Sequence, residues 1–240
     1  MDNRKYQLIN VDHHGNGIAL FKCWDSRMKY FIKLAISERG NFGVKNERIG
    51  YQWFFSRIGT ENTTSFSNNY YYEIQIPEFS GRNFISEAYV RGNEKVIENL
   101  IQLYKDLWKI DEKEFFMHGD LVLSNVIVGE ENIYLIDWEH SHKAEKIYWG
   151  YDIIHLLFVA IHYSPNGIRS TDKKFLKNCY RSLCEEATLG NLLLEKPFQN
   201  AYKYMRDYQS RFSLNEPVNS KFILSQSNIR ELEALDLMIT

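Results

Sequence analysis

Apolar positions alternate with polar ones near the N-terminus and recur at roughly helical spacing further along the chain. Residues 6–11, 18–24 and 28–35 read as three strands, joined by the turn DHHGNG and by Asp25-Ser26-Arg27. Residues 45–58 read as a helix with Ile49, Trp53 and Phe54 on one side. A polar loop follows over 59–69, then a strand over 70–76 that Pro77-Glu78-Phe79-Ser80-Gly81 breaks. Residues 93–110 form an amphipathic helix whose stripe is Val96, Leu100, Ile101, Leu103, Leu107 and Trp108. Two short apolar runs, 126–128 and 133–136, flank Gly129-Glu130-Glu131-Asn132 and read as a hairpin. Helices are then expected over 153–162, 171–188 and 197–212, and from Ser220 onward.

Composition narrows this picture in three ways. With 240 residues, 44% of them hydrophobic and 15% aromatic, the chain can build a sizeable core in one domain or two closely joined lobes. It has no apolar run of about 18 residues and no signal-peptide core, which implies a soluble cytoplasmic protein without a transmembrane segment. The three cysteines, Cys23, Cys179 and Cys184, suit neither a disulfide framework nor a thiolate metal site. A net charge of −2 offers no field for nucleic acid. From Pro165 onward eleven Lys and Arg face nine Asp and Glu, a poor bed for a polycation. Lys173, Lys177 and Arg181 recur as a basic stripe, a solvated face or a contact for an anionic substrate or a membrane surface.

Candidate chemistry gathers around the hairpin. His118, Asp120 and Asn125 precede its first strand, and Asp137 and Glu139 follow its second, so pairing brings two sets of oxygen donors together. Carboxylates with an amide oxygen are the donor set of a hard divalent cation such as Mg²⁺. His140 and His142 lie next to these acids but lack the spacing of a zinc site. Asp152 opens an apolar helix as a cap, and His155 and His162 share a helical face that packs in a core. Upstream, Gly15 and Gly17 would let the backbone approach a phosphate closely, or would simply serve a hairpin turn. Lys33 lies among apolar residues on the third strand.

The pattern HGDxxxxN over 118–125, followed by Asp137-Trp138-Glu139, resembles the aminoglycoside phosphotransferase and choline kinase branch of the protein-kinase-like fold. That resemblance implies a two-lobed α+β architecture. Residues 1–78 would form a small antiparallel-sheet lobe with one helix, and 79–240 a mostly helical lobe. It also implies ATP and Mg²⁺ as cofactors. Asp120 would orient the acceptor hydroxyl or accept its proton, and His118 would order the loop. Asn125 and Asp137 would hold the metal, with Glu139 beside them. Lys33, braced by Glu47, would hold the phosphates, Gly15 and Gly17 would approach them, and Ile76, Glu78 and Phe79 would meet the base. Asp152 would fix the catalytic-loop backbone. The acceptor would be a hydroxyl of a small molecule, a sugar or cell-envelope glycan before an aminoglycoside. A protein Ser/Thr kinase fits less well, because only twelve residues separate Glu139 from Asp152. A non-catalytic nucleotide-binding regulator would lack one of Lys33, Asp120, Asn125 and Asp137, and a metal-dependent hydrolase would release phosphate without ATP.

Overall fold

The computed structural model describes residues 5–11, 17–26, 28–61, 64–68, 70–83, 91–109, 114–162 and 169–189. Residues 12–16 of the DHHGNG turn, Gly15 among them, and the helices expected over 197–212 and from Ser220 lie outside the described residues. Tertiary contacts divide the chain into two compact units. One comprises Met1–Phe84, Phe116–Asp120 and Asn125–Lys143, and the other comprises Ile85–Phe115, Leu121–Ser124 and Ala144–Thr240.

The first unit is built on an antiparallel sheet of β1 (Lys5–Val11), β2 (Ile18–Trp24), β3 (Lys29–Ala35), β4 (Ser65–Asn68) and β5 (Tyr72–Pro77), in the order β1-β2-β3-β5-β4. Strand alternation splits β2 and β3 between two environments. Phe21, Cys23, Tyr30, Ile32 and Leu34 pack together, while Ile18, Leu20, Phe31 and Lys33 line a cavity. Two expectations change here. The polar segment Ser65–Asn68 is a strand, paired with β5 from Ser65↔Gln75 to Asn68↔Tyr72, so the pairing and not the composition of this segment makes it extended. The neighbouring strand starts at Tyr72, after a bend.

Helix α1 runs over Glu38–Ile58, seven residues longer at its start than the periodicity indicates. Its N-cap is Ser37, whose hydroxyl accepts the Gly40 N–H at 3.0 Å. Gly40, a poor helix former, is there because a Cβ would come within 2.0 Å of the Gly17 carbonyl. Its inner face is Val44, Glu47, Tyr51, Phe54 and Phe55, and Ile49 points outward at 38% exposure. The hairpin is β8 (Val126–Val128) paired with β9 (Ile133–Leu135), closed by a Gly129 N–H donated to the Asn132 carbonyl at 2.8 Å. A two-residue strand that the sequence reading misses, β6 (Arg82–Asn83), pairs with β8. Strands β7 (Glu114–Met117) and β10 (His142–Glu145) form a separate ribbon.

In the second unit, α2 covers Glu94–Leu107 and buries Ile97, Leu100, Ile101, Tyr104 and Leu107. Ile97 and Tyr104 thus take the core positions expected of Val96 and Leu103. Tyr104 stacks on Trp108, and the Trp149 indole N–H donates to the Trp108 carbonyl at 2.8 Å. Helix α3 runs over Tyr151–His162 and α4 over Ser170–Leu189, and the Lys105 ammonium of α2 donates to the Ser182 hydroxyl of α4 at 2.8 Å. Asp152 is fully buried in the first turn of α3 and not at its cap. His155 is buried against Tyr151. Lys173 and Lys177 are half-buried and Arg181 is exposed. No helix among the described residues is long and apolar enough to cross a membrane.

Candidate active site

The loop after β7 is tied by its own side chains. His118 is fully buried, with Nε2 at 3.0 Å from the Ile136 carbonyl and Nδ1 at 3.4 Å from the Asp120 N–H. Burial pushes the imidazole down to about 4. The neutral ring can therefore donate from Nε2 and accept at Nδ1, which matches both contacts. The Asn125 amide donates to the Asp120 carbonyl at 2.9 Å and to its carboxylate at 3.4 Å, which leaves the Asn125 side-chain oxygen for another partner. The Ile136 N–H donates to the Asn125 carbonyl at 3.0 Å. Gly119 has φ 85, and a Cβ there would lie 2.4 Å from the His140 carbonyl, so this position requires glycine.

The loop after β9 is tied to α1 instead. Trp138 is fully buried over Gly50, where a Cβ would come within 2.5 Å of its side chain, and it packs against Trp53, Phe54 and the His118 ring. The Asn46 amide donates to the Glu139 carbonyl at 3.1 Å, and the Ser141 hydroxyl donates to the Asn46 carbonyl at 3.0 Å. Asp137 has φ 68, uncommon for a residue with a side chain.

Lys33 joins the sheet to both elements. Its ammonium donates to Glu47 Oε2 at 2.9 Å and to Asp137 Oδ1. Burial opposes the charge on Lys33, but Asp137 and Glu47 outweigh it and hold the amine well above the usual lysine range. Burial raises Asp137 as well, and Lys33 more than offsets that, leaving the carboxyl below its ordinary range. Glu47 is fully buried, and Oε1 has no hydrogen-bond donor among the described residues. Burial accordingly pushes it up to about 7 against the pull of Lys33. Burial also raises Asp120 to about 7, with His140 opposing. His140 lies 3.3 Å from Glu139; burial lowers its ring, but the Glu139 carboxylate prevails and lifts it to about 9.

A cavity of about 530 Å³ opens onto this cluster. Lys33, Glu47, Tyr51, Asn125, Asp137 and Glu139 form its polar wall. Phe31, Ile76, Phe79 and Ile127 contribute apolar surface, and Phe79 stacks on Tyr134 with ring centroids 4.6 Å apart. Glu78 also lines it, ion-paired with Lys22 at 2.7 Å. The structure therefore brings Lys33, Glu47, Ile76, Glu78, Phe79, Asn125, Asp137 and Glu139 to one cavity. His118 and Asp120 stand behind Asn125 in its hydrogen-bond network. Gly17 has a different observed task. Its φ is 68, a Cβ would lie 1.8 Å from the Ser37 hydroxyl, and its carbonyl accepts the Ile36 N–H at 2.7 Å, so it seats the start of α1. Among the described residues no three His, Cys, Asp or Glu side chains gather as a metal-binding group, and His142 Nδ1 lies 2.9 Å from the His140 carbonyl.

Solved structures share this architecture. An aminoglycoside-3'-phosphotransferase of type VIII superposes with a TM-score of 0.54 at 14% identity, covering 87% of this chain and 94% of that one. An ethanolamine kinase from Plasmodium vivax superposes with a TM-score of 0.51 at 13% identity, covering 99% and 81%. The chain has the protein-kinase-like fold. No family model matches the chain, and no curated protein matches it in sequence.

The sequence reading of this protein-kinase-like chain misses three residues around the cluster, Asn46, Gly50 and Tyr51, and names His140 only to set it aside as a zinc ligand. Tyr51 had a usable signal, since it lies one helical turn after Glu47 and so shares its face. Gly50 had none, because glycine in a helix ordinarily reads as a weak point.

Proposed function

We propose that the protein is an ATP- and Mg²⁺-dependent phosphotransferase that moves the γ-phosphate to a hydroxyl of a small molecule. The supporting observation is the joining of Lys33, Glu47 and Asp137 in one buried charge cluster on a cavity that also presents Asn125 and Glu139. Phosphoryl transfer asks a protein mainly for positioning and charge neutralisation. Lys33 is a buried, firmly protonated cation suited to phosphate oxygens. Glu47 holds it in place. The carboxylates of Asp137 and Glu139 and the free amide oxygen of Asn125 suit a hard divalent cation. That cation would neutralise charge on the transferring group. Asp120, raised towards neutrality and oriented by Asn125, would receive the proton of the acceptor hydroxyl. Phe31 and Phe79 offer apolar surface to a nucleobase near Ile76 and Glu78. His118 is uncharged at neutral pH, and its task is to hold Asp120 and Ile136.

Within this reading the acceptor is a neutral or anionic sugar, including cell-envelope glycan units, and the enzyme works in the cytoplasm. The charge balance after Pro165 supports that choice over a polycation. The named relatives in fold act on aminoglycosides and ethanolamine, which makes those acceptors the natural alternatives. ADP release with Mg²⁺ and ATP, screened across sugars, amino alcohols and aminoglycosides, tests the proposal. Stimulation by at least one class is expected. Phosphate release that needs no ATP would contradict it.

A further inference from the structure

Helix α1 presents two neighbouring faces to the site. On one, Glu47 holds the Lys33 ammonium at 2.9 Å. On the next lie Gly43, Asn46, Gly50 and Trp53, at the helical spacing that aligns residues in a stripe. This stripe faces the turn Trp138–His140. A Cβ on Gly50 would meet the Trp138 side chain at 2.5 Å, one on Gly43 would lie 3.7 Å from the Glu139 Cβ, and the Trp53 ring lies 6.0 Å from that of Trp138. The two glycines let the helix approach closely, and Asn46 is the hydrogen-bonding member of the stripe. Its amide donates to the Glu139 carbonyl at 3.1 Å, and its own carbonyl accepts the buried Ser141 hydroxyl at 3.0 Å. The turn itself is closed by the Ser141 N–H on the Trp138 carbonyl at 2.9 Å, so the ties to α1 fix where the turn sits and not whether it forms.

We infer that Asn46 is a positioning residue, which sets the loop carrying Asp137 and Glu139 against the helix that braces Lys33, so that a divalent cation and the nucleotide phosphates bind cooperatively; this rests on the phosphotransferase reading above. The coupling follows from adjacency on one helix. Glu47 governs the cation proposed to meet the phosphates, and its neighbour Asn46 governs the loop proposed to hold the metal. The Lys33 ammonium also joins the two, since it contacts both Glu47 and Asp137, but phosphate oxygens compete for that ammonium and a divalent cation competes for Asp137. Asn46 acts through neutral groups on the backbone behind the carboxylates, so its tie persists when the ion pair gives way to ligands. Groups of this kind, which orient a metal ligand without touching the metal, set how well the ligand is presented.

The test is calorimetric titration of ATP into wild type, Asn46→Ala and Ser141→Ala, in EDTA and in Mg²⁺, alongside thermal unfolding of each protein. The quantity read is the factor by which Mg²⁺ tightens ATP binding. Asn46→Ala should bind ATP in EDTA as wild type does, while its Mg²⁺ factor falls about 10-fold, the usual loss when a group supporting a metal ligand is removed. Ser141→Ala, which keeps the Asn46 amide, should lose less. An unchanged Mg²⁺ factor in Asn46→Ala would overturn the inference and leave the phosphotransferase reading standing. That result includes equal losses in EDTA and in Mg²⁺, the mark of a role in folding alone. A wild type whose ATP binding does not respond to Mg²⁺ would overturn both. Should Asn46→Ala unfold, Asn46→Leu, which fills similar space without a donor, decides on the same factor.

Discussion

The loop from His118 to Asn125 is tied by hydrogen bonds among its own side chains, whereas the side-chain ties of the loop from Asp137 to His140 reach a helix and a strand far away in the chain. In the first, His118, Asp120 and Asn125 bond to one another within eight residues, and His118 also reaches the Ile136 carbonyl and the Trp138 ring. In the second, local bonds from the Trp138 indole N–H to the Leu135 carbonyl and from the Ser141 N–H to the Trp138 carbonyl are joined by Asn46 and Gly50 of α1 and by Lys33 of β3, and the Asn46–Glu139 contact spans 93 residues. The group proposed to handle the acceptor proton is thus locally built, and the group proposed to hold the metal depends on how α1 packs. The difference separates chemistry that a short motif can encode from chemistry that needs the assembled sheet and helix.

The junction of the two loops is the sharpest place to break this arrangement. Gly119→Ala forces a Cβ against the His140 carbonyl at a left-handed φ, and should cost about 3 kcal/mol or more, read as a large fall in the urea midpoint. A midpoint equal to wild type would show that the loops are not in this contact.

The self-supporting loop has a pH signature. His118 is neutral when folded, with its pKa lowered to about 4, while an unfolded histidine titrates near 6.5. Its contribution is therefore complete above about pH 6.5 and is lost as pH falls towards 4, because the unfolded chain takes up the proton first. The loss should approach about 3 kcal/mol. Urea midpoints at pH 7.5 and 4.5 should diverge in wild type and lie closer together in His118→Asn, and an equal divergence in both proteins would remove His118 as the cause. The borrowed support should show a smaller effect. Asn46→Ala removes one donor to the Glu139 carbonyl and should cost about 1 kcal/mol, a fall of a few degrees in Tm, while weakening metal-dependent ATP binding. An unchanged metal requirement would mean that this loop holds itself.

This contrast also explains what was legible in the sequence. HGDxxxxN, the hairpin and the acids after it could be read because their partners are near in sequence or follow from strand alternation. Lys33 and Glu47 could be paired only through the family resemblance, and the structure joins them at 2.9 Å. The start of α1 was hidden because Gly40 weakens the helical signal where packing against Gly17 demands it. Strand Ser65–Asn68 was hidden because its partner strand, and no apolar pattern of its own, extends it. Trp138 could be seen as part of a motif, but its seat on Gly50 could not, since neither residue announces the other.

Asp120 is proposed to serve the acceptor hydroxyl without holding the nucleotide. The direct measurement is turnover of Asp120→Asn, with whichever acceptor stimulates ADP release in wild type, alongside its affinity for ATP with Mg²⁺. Turnover should fall by about 100-fold to 10,000-fold, the range expected for losing a positioned base, while ATP affinity stays near that of wild type. Native turnover in Asp120→Asn would contradict the account.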